Sequence, residues 1–117
     1  MEIVEARGFT RLVHDYLNDD EYREFQTYLA ENPRAGDIMP GCGGFRKVRW
    51  SDKRRGKGKR GGLRVIYYFF EEDLQIWFML IYDKDEEVDL TTEQKRMLLR
   101  AIEDEKRARN RLKRRKH

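Results

Sequence analysis

LRVIYYFFEEDLQIWFMLIY, residues 63–82, reads as two strands and the turn between them. Leu63 to Phe70 carries Val65, Ile66, two tyrosines and two phenylalanines, the β-branched and aromatic content that suits a pleated, packed surface. Glu71, Glu72 and Asp73 are polar enough to turn the chain. Gln75 to Tyr82 is then apolar on both faces, so it belongs in the interior of a sheet. Upstream, Phe45-Arg46-Lys47-Val48-Arg49-Trp50 alternates as a further strand, separated from the first by a loop over Ser51 to Gly62. Consecutive strands joined by short turns pair as antiparallel hairpins. The expected fold is therefore α+β, a small twisted antiparallel sheet, rather than a wound α/β fold.

The rest of the chain reads as two N-terminal helices and one C-terminal helix. Glu2 to Glu5 is suited to a short edge strand, and Phe9, Leu12, Val13, Tyr16 and Leu17 then recur with the spacing of a helix face. Asn18 followed three positions on by Glu21 offers a capping box, and Tyr22, Phe25 and Leu29 continue a second helix to Asn32-Pro33, where proline stops it. Arg34 to Gly44 holds Gly36, Pro40, Gly41, Gly43 and Gly44 and reads as a turn-rich connection. Thr91 to Gln94 forms a second capping box, opening a helix with Met97, Leu98, Ala101 and Ile102 on its apolar face. Beyond Ile102 only Ala108 and Leu112 are apolar, so residues 1–105 are expected to form the domain and 106–117 a basic extension that projects from it.

The 117 residues suffice for one domain. No apolar run approaches the roughly 20 residues of a membrane span, and the N-terminus lacks the pattern of a signal peptide. Cys42 is the only cysteine, which excludes an internal disulfide and a cysteine zinc site and fits a reducing, cytoplasmic setting. The net charge of +4 hides a strong alternation: residues 1–33 carry 3 basic and 8 acidic groups (−5), residues 34–64 carry 11 and 2 (+9), residues 65–105 carry 4 and 12 (−8), and residues 106–117 carry 8 and 0 (+8). Basic blocks of this density mark a partner rich in phosphate, because neutralising phosphates releases their counterions.

The densest block, Lys53-Arg54-Arg55-Gly56-Lys57-Gly58-Lys59-Arg60-Gly61-Gly62-Leu63-Arg64, holds seven cations and no acid in twelve residues. Its glycines allow positive φ and close approach of backbone amides to a phosphate. It is not a nucleotide-triphosphate loop, since G-x-x-x-x-G-K-[ST] is absent and no helix follows. If the flanking strands pair, the period of two puts Lys47 and Arg49 on the same sheet face as Arg64. His14 and His117 are the only histidines, so neither a paired-histidine ribonuclease nor a Ser-His-Asp hydrolase has the residues it needs. The acids from Asp83 to Asp89 lack a calcium-loop pattern, and neither a metal nor another cofactor is expected. What remains is lysine, arginine and tyrosine. Crowded lysines have depressed pKa values and can exchange protons, while arginine stays charged and grips phosphate through two N–H groups. Tyr82 and Lys84, at the end of the third strand, belong to the same rim.

Three long stretches carry a family resemblance: DDEYREFQTYLAENPRAGDIMPGCGGFRKVRW, RGKGKRGGLRVIYYF and LIYDKDEEVDLTTEQ. Together they closely resemble the HigB branch of the RelE-like toxins of type II toxin–antitoxin systems, over about residues 8–105. The resemblance implies a RelE-like fold and a metal-independent endoribonuclease that cuts mRNA in the ribosomal A site and so inhibits translation. It also implies a HigA-type helix-turn-helix antitoxin as partner. By position it implies that Lys47 and Arg49 stand on the strand carrying basic active-site residues and that Arg64 is the main phosphate-stabilising group. Lys57, Lys59 and Arg60 match the HigB-type loop, with Lys57 or Lys59 as base or acid, and Tyr82 and Lys84 match the strand-end motif. Arg46, Arg54 and Arg55 join Lys47, Arg49 and Arg60 as expected RNA contacts. The chain departs from the better-known RelE pattern in having Asp85 after Lys84 and no tyrosine from Glu86 to Gln94. The rival reading is a basic module that clamps rRNA or DNA without catalysis.

Overall fold

The apolar hairpin forms and lies inside the sheet. The computed structural model describes residues 1–52, 62–86 and 89–115. Its elements are β1 (Glu2–Glu5), α1 (Arg7–Tyr16), α2 (Asp19–Glu31), β2 (Asp37–Ile38), β3 (Arg46–Trp50), β4 (Leu63–Phe70), β5 (Gln75–Asp83) and α3 (Thr92–Arg115). The strands lie in the order β1-β5-β4-β3-β2. The fold class is α+β, as the sequence implies.

Two features of the sheet differ from the expectation. The sheet is mixed, because β1 pairs parallel with β5, Glu2 opposite Gln75 and Glu5 opposite Phe78. The antiparallel rule holds for strands joined by a short turn, and β1 is separated from β5 by two helices and three strands. It instead covers half of the edge that the β4–β5 hairpin leaves open, and Tyr22 on α2 donates a hydrogen bond to Glu5. The second difference is β2, inside the segment read as a connection. It pairs antiparallel with β3, Asp37 opposite Lys47, through backbone groups that leave no side-chain pattern to read.

Both faces of the sheet are covered, which is why β4 from Val65 to Phe70 and β5 from Ile76 to Tyr82 are apolar and aromatic without a break. Phe9, Val13, Phe25 and Leu29 from α1 and α2 pack against Val48, Val65, Tyr67, Ile76, Phe78 and Ile81. On the opposite face Leu98 and Ile102 of α3 pack with Ile66, Phe70, Tyr82 and the Met39–Phe45 loop. Local signals agree with these placements. The Glu21 N–H donates to Asn18 Oδ1 at 2.8 Å and the Asn18 N–H to Glu21 Oε1 at 2.9 Å, completing the capping box. The Gln94 N–H donates to Thr91 Oγ1 at 3.1 Å and the Thr91 N–H to Gln94 Oε1 at 2.8 Å, which repeats it at α3. Gly43, at φ +71°, lies where a Cβ would stand 2.7 Å from Ile102 Cγ2, so the loop reaches α3 only because that residue is glycine.

The basic half of α3 does not project free of the domain. The helix is continuous to Arg115, and the Arg109 guanidinium lies 3.7 Å from the Phe70 ring centroid and 2.7 Å from Asp73. Lys113 pairs with Glu72 at 2.8 Å, and Lys106 lies 5.2 Å from the Tyr68 ring centroid. Cations on aromatic faces and turn carboxylates replace the apolar stripe that the sequence lacks there.

Candidate RNA-binding and cleavage site

Strand pairing brings a row of three residues across the sheet. Arg49 on β3 stands opposite Arg64 on β4, and Arg64 stands opposite Tyr82 on β5. Directly opposed residues share a face, so these three project from the face that α3 covers further along. Lys47, opposite Ile66, lies on that face two residues along β3. The expected juxtaposition of Lys47, Arg49 and Arg64 is thus present in the structure.

Tyr82 reaches this row through an irregularity. Ile66 pairs with Leu80 but Tyr67 pairs with Phe78, which leaves Met79 as an extra residue in β5. Such a bulge reverses the alternation of the strand beyond it. Ile76 and Phe78 face α1 and α2, whereas Leu80 and Tyr82 face the α3 side with Arg64.

The row is graded from open to enclosed. Arg49 is exposed, while Arg64 is only 8% exposed and Tyr82 is buried, its hydroxyl included. Arg64 Nη1 donates to the carbonyls of Gly62 at 3.3 Å and Leu63 at 3.2 Å, which fixes the guanidinium at the mouth of β4. Burial, and then the positive charge of Arg49, push its pKa below the usual arginine value; Tyr82 and Asp83 act in the opposite sense. An arginine stays cationic under such pressure, and a phosphate placed there would relieve the repulsion between the two guanidinium groups. Lys84 is exposed, and its N–H donates to the Gly62 carbonyl at 3.4 Å, so it stands at the same end of the sheet.

Arg46 is not brought to this surface. It alternates to the other face of β3, and its Nη1 donates to the Gly36 carbonyl at 2.8 Å, holding the chain before β2. Arg54, Arg55, Lys57, Lys59 and Arg60 lie outside the described residues. Their flanking positions, Asp52 and Gly62, are both at the Arg64 end of the sheet.

Sequence reasoning missed the groove beside the row. It has a volume of about 470 Å³ and is lined by Leu12, Tyr16, Leu80, Ile81, Tyr82, Glu86 and Gln94. Tyr16 on α1 donates to the Glu86 carboxylate at 3.3 Å, across seventy positions of sequence. No local pattern announces such a pair. The arrangement can seat a phosphate on the held Arg64 and its neighbouring exposed Arg49, beside a groove with tyrosines and one carboxylate. Among the described residues no group of three or more His, Cys, Asp or Glu side chains is placed to hold a metal ion, and no helix is long and apolar enough to cross a membrane.

No family model matches the chain. Among solved structures, the isolated RelE toxin of E. coli is similar to it with a TM-score of 0.45 and 13% sequence identity, over 86% of this chain and 97% of that one. A likeness this distant carries no argument about chemistry, which rests on the residues themselves.

Proposed function

We propose that the chain is a toxin of the HigB kind from a type II toxin–antitoxin pair, a metal-independent endoribonuclease that cleaves mRNA in the ribosomal A site in the cytoplasm. A HigA-type helix-turn-helix antitoxin is its neutralising partner. The observation that carries this reading is the row Arg49, Arg64 and Tyr82, at the sheet end where Asp52 and Gly62, the described residues that flank the basic segment in sequence, both lie. The long motif resemblance supports it. Cleavage through the RNA's own 2′-hydroxyl needs a base at that hydroxyl, charge stabilisation at the phosphate and an acid at the leaving oxygen. In this reading Arg64 supplies the stabilisation, Lys57 or Lys59 exchanges the protons, and Lys47, Arg49, Arg60 and Lys84 hold the strand.

One observation favours the rival, a binding module without catalysis: Arg64 Nη1 is occupied by backbone carbonyls, as in a structural arginine. Substitution separates the two. Arg64→Ala is expected to lower cleavage of ribosome-bound mRNA by about 10²–10³-fold and to abolish growth inhibition at matched soluble expression. Arg64→Lys restores part of the rate, since one ammonium lacks the two-pronged grip. Because Arg64 is buried, the exposed Arg49→Gln serves as a second variant whose folding is not at stake. Full cleavage in Arg64→Ala and Arg49→Gln proteins with native melting curves would remove the row from the active site, and a change confined to salt-sensitive affinity would establish the binding module.

A further inference from the structure

Eight of the ten cations of α3 lie on two faces. Lys106, Arg109 and Lys113 turn inward, onto Tyr68, Phe70, Asp73 and Glu72. Arg96, Arg100, Arg107, Arg111 and Arg114 recur at intervals of four, seven, four and three, which is one stripe on a helix of 3.6 residues per turn; all five are exposed, and the interval of seven holds the exposed acids Glu103, within the stripe, and Asp104, at its side. Only Arg107 has an acidic partner, Asp104; the other four have none among the described residues. The stripe extends about 27 Å at 1.5 Å per residue. It contains no lysine, and arginine is the cation whose planar fork fits phosphate oxygens.

We propose that this arginine ridge is a second RNA-binding surface, one that lies along the phosphate backbone of double-helical RNA. The inward cations hold the helix against the β4–β5 turn, so the ridge is presented rigidly and little ordering is required on binding. Its C-terminal part is separate from the cleavage row, although Arg96 begins the ridge two residues after Gln94 of the groove. Arg109 packs at Phe70, whereas Arg64 lies six residues back along β4, about 20 Å away at 3.4 Å per residue. A lipid surface fits the ridge poorly: Met97 and Leu112, the exposed large apolar side chains of α3, lie beside it fifteen residues apart. They offer no continuous apolar face to enter a bilayer. The choice of RNA over DNA rests on the function proposed above; the ridge itself does not.

The test compares two charge-matched triples in the full chain. One is Arg100→Gln, Arg111→Gln and Arg114→Gln; the other, on α1 and α2, is Arg7→Gln, Arg11→Gln and Arg23→Gln, all at exposed positions. Binding to a 20-base-pair RNA duplex, to the DNA duplex of the same sequence and to anionic lipid vesicles is titrated against salt, with melting curves as the folding check. The α3 triple is expected to lose at least tenfold in RNA-duplex affinity and to reduce the slope of log K against log salt by about 2–3, while the control triple stays within about twofold. Equal losses in the two triples, or none in α3, would overturn the ridge. DNA bound as tightly as RNA, or vesicles bound in preference to both, would overturn its assignment to RNA. Cleavage by Arg64 variants is a separate readout, so either proposal can fail alone.

Discussion

Replacing Arg109 with alanine tests whether α3 is held by cations rather than by apolar packing. Its guanidinium stacks on Phe70 with a side chain only 20% exposed, pairs with Asp73 at 2.7 Å and Glu105 at 3.5 Å, and donates to Gln75. A cation–π contact at this burial lies between the exposed value of about 0.5–1 kcal/mol and the desolvated value of about 2 kcal/mol. The two ion pairs, both partly open to solvent, add about 0.2–1 kcal/mol each. Lost contact of the aliphatic stem with the sheet raises the expected cost of Arg109→Ala to about 2–3 kcal/mol. For a domain of this length that corresponds to a fall of about 8–12 °C in Tm. Arg109→Lys keeps the charge and loses the planar stack, so it is expected to fall about halfway. Thermal unfolding followed by circular dichroism at 0.15 M salt measures both. A shift of less than about 2 °C for Arg109→Ala, with helix content unchanged, would refute the reasoning and leave the basic segment as the free projection the sequence implied.

Two further substitutions probe the loop and the bulge. Gly43→Ala combines a positive φ with a clash against Ile102 and is expected to cost about 2–4 kcal/mol, whereas Gly41→Ala, at φ +70° with open space around it, should cost only about 1–2 kcal/mol; equal melting shifts would disprove the packing account of Gly43. Deleting Met79 removes the extra residue and leaves Leu80 and Tyr82 on their present face, so the variant should unfold cooperatively within about 3 kcal/mol of the parent, and loss of the cooperative transition would show that the bulge itself is required.

What was legible in the sequence was whatever the chain writes locally. Asn18 with Glu21 and Thr91 with Gln94 announce their helices because a cap is satisfied within four residues. The hairpin is legible because a strand buried on both faces must be apolar throughout. The parallel pairing of β1 was not, since nothing in Glu2 to Glu5 names its partner. The docking of α3 beyond Ile102 was hidden for a different reason: hydrophobic periodicity scores Arg109 as solvent-facing, and only the structure shows a phenylalanine beneath it. The same division runs through the site. Lys47, Arg49 and Arg64 align by simple alternation, whereas Tyr16 and Glu86 meet only through the fold.

Tyr82 shows why a site can be half legible. In a regular strand Ile76, Phe78, Leu80 and Tyr82 would all face α1 and α2, and Ile81 would stand beside Arg64. The first half of β5 must give Ile76 and Phe78 to the helical core, and the second half must give Tyr82 to the cationic row. With Met79 in the strand, a single alternation cannot meet both demands. The extra residue at Met79 resolves the conflict by exchanging faces midway, and a strand that exchanges faces necessarily loses the strict polar–apolar pattern that would have disclosed its register. The apolar run from Ile76 to Tyr82 is thus the sequence trace of that exchange as well as of burial. The bulge falls three residues before Tyr82, at the boundary between the part of β5 that β1 covers and the part that lines the groove. It therefore marks where the strand passes from building the core to building the site.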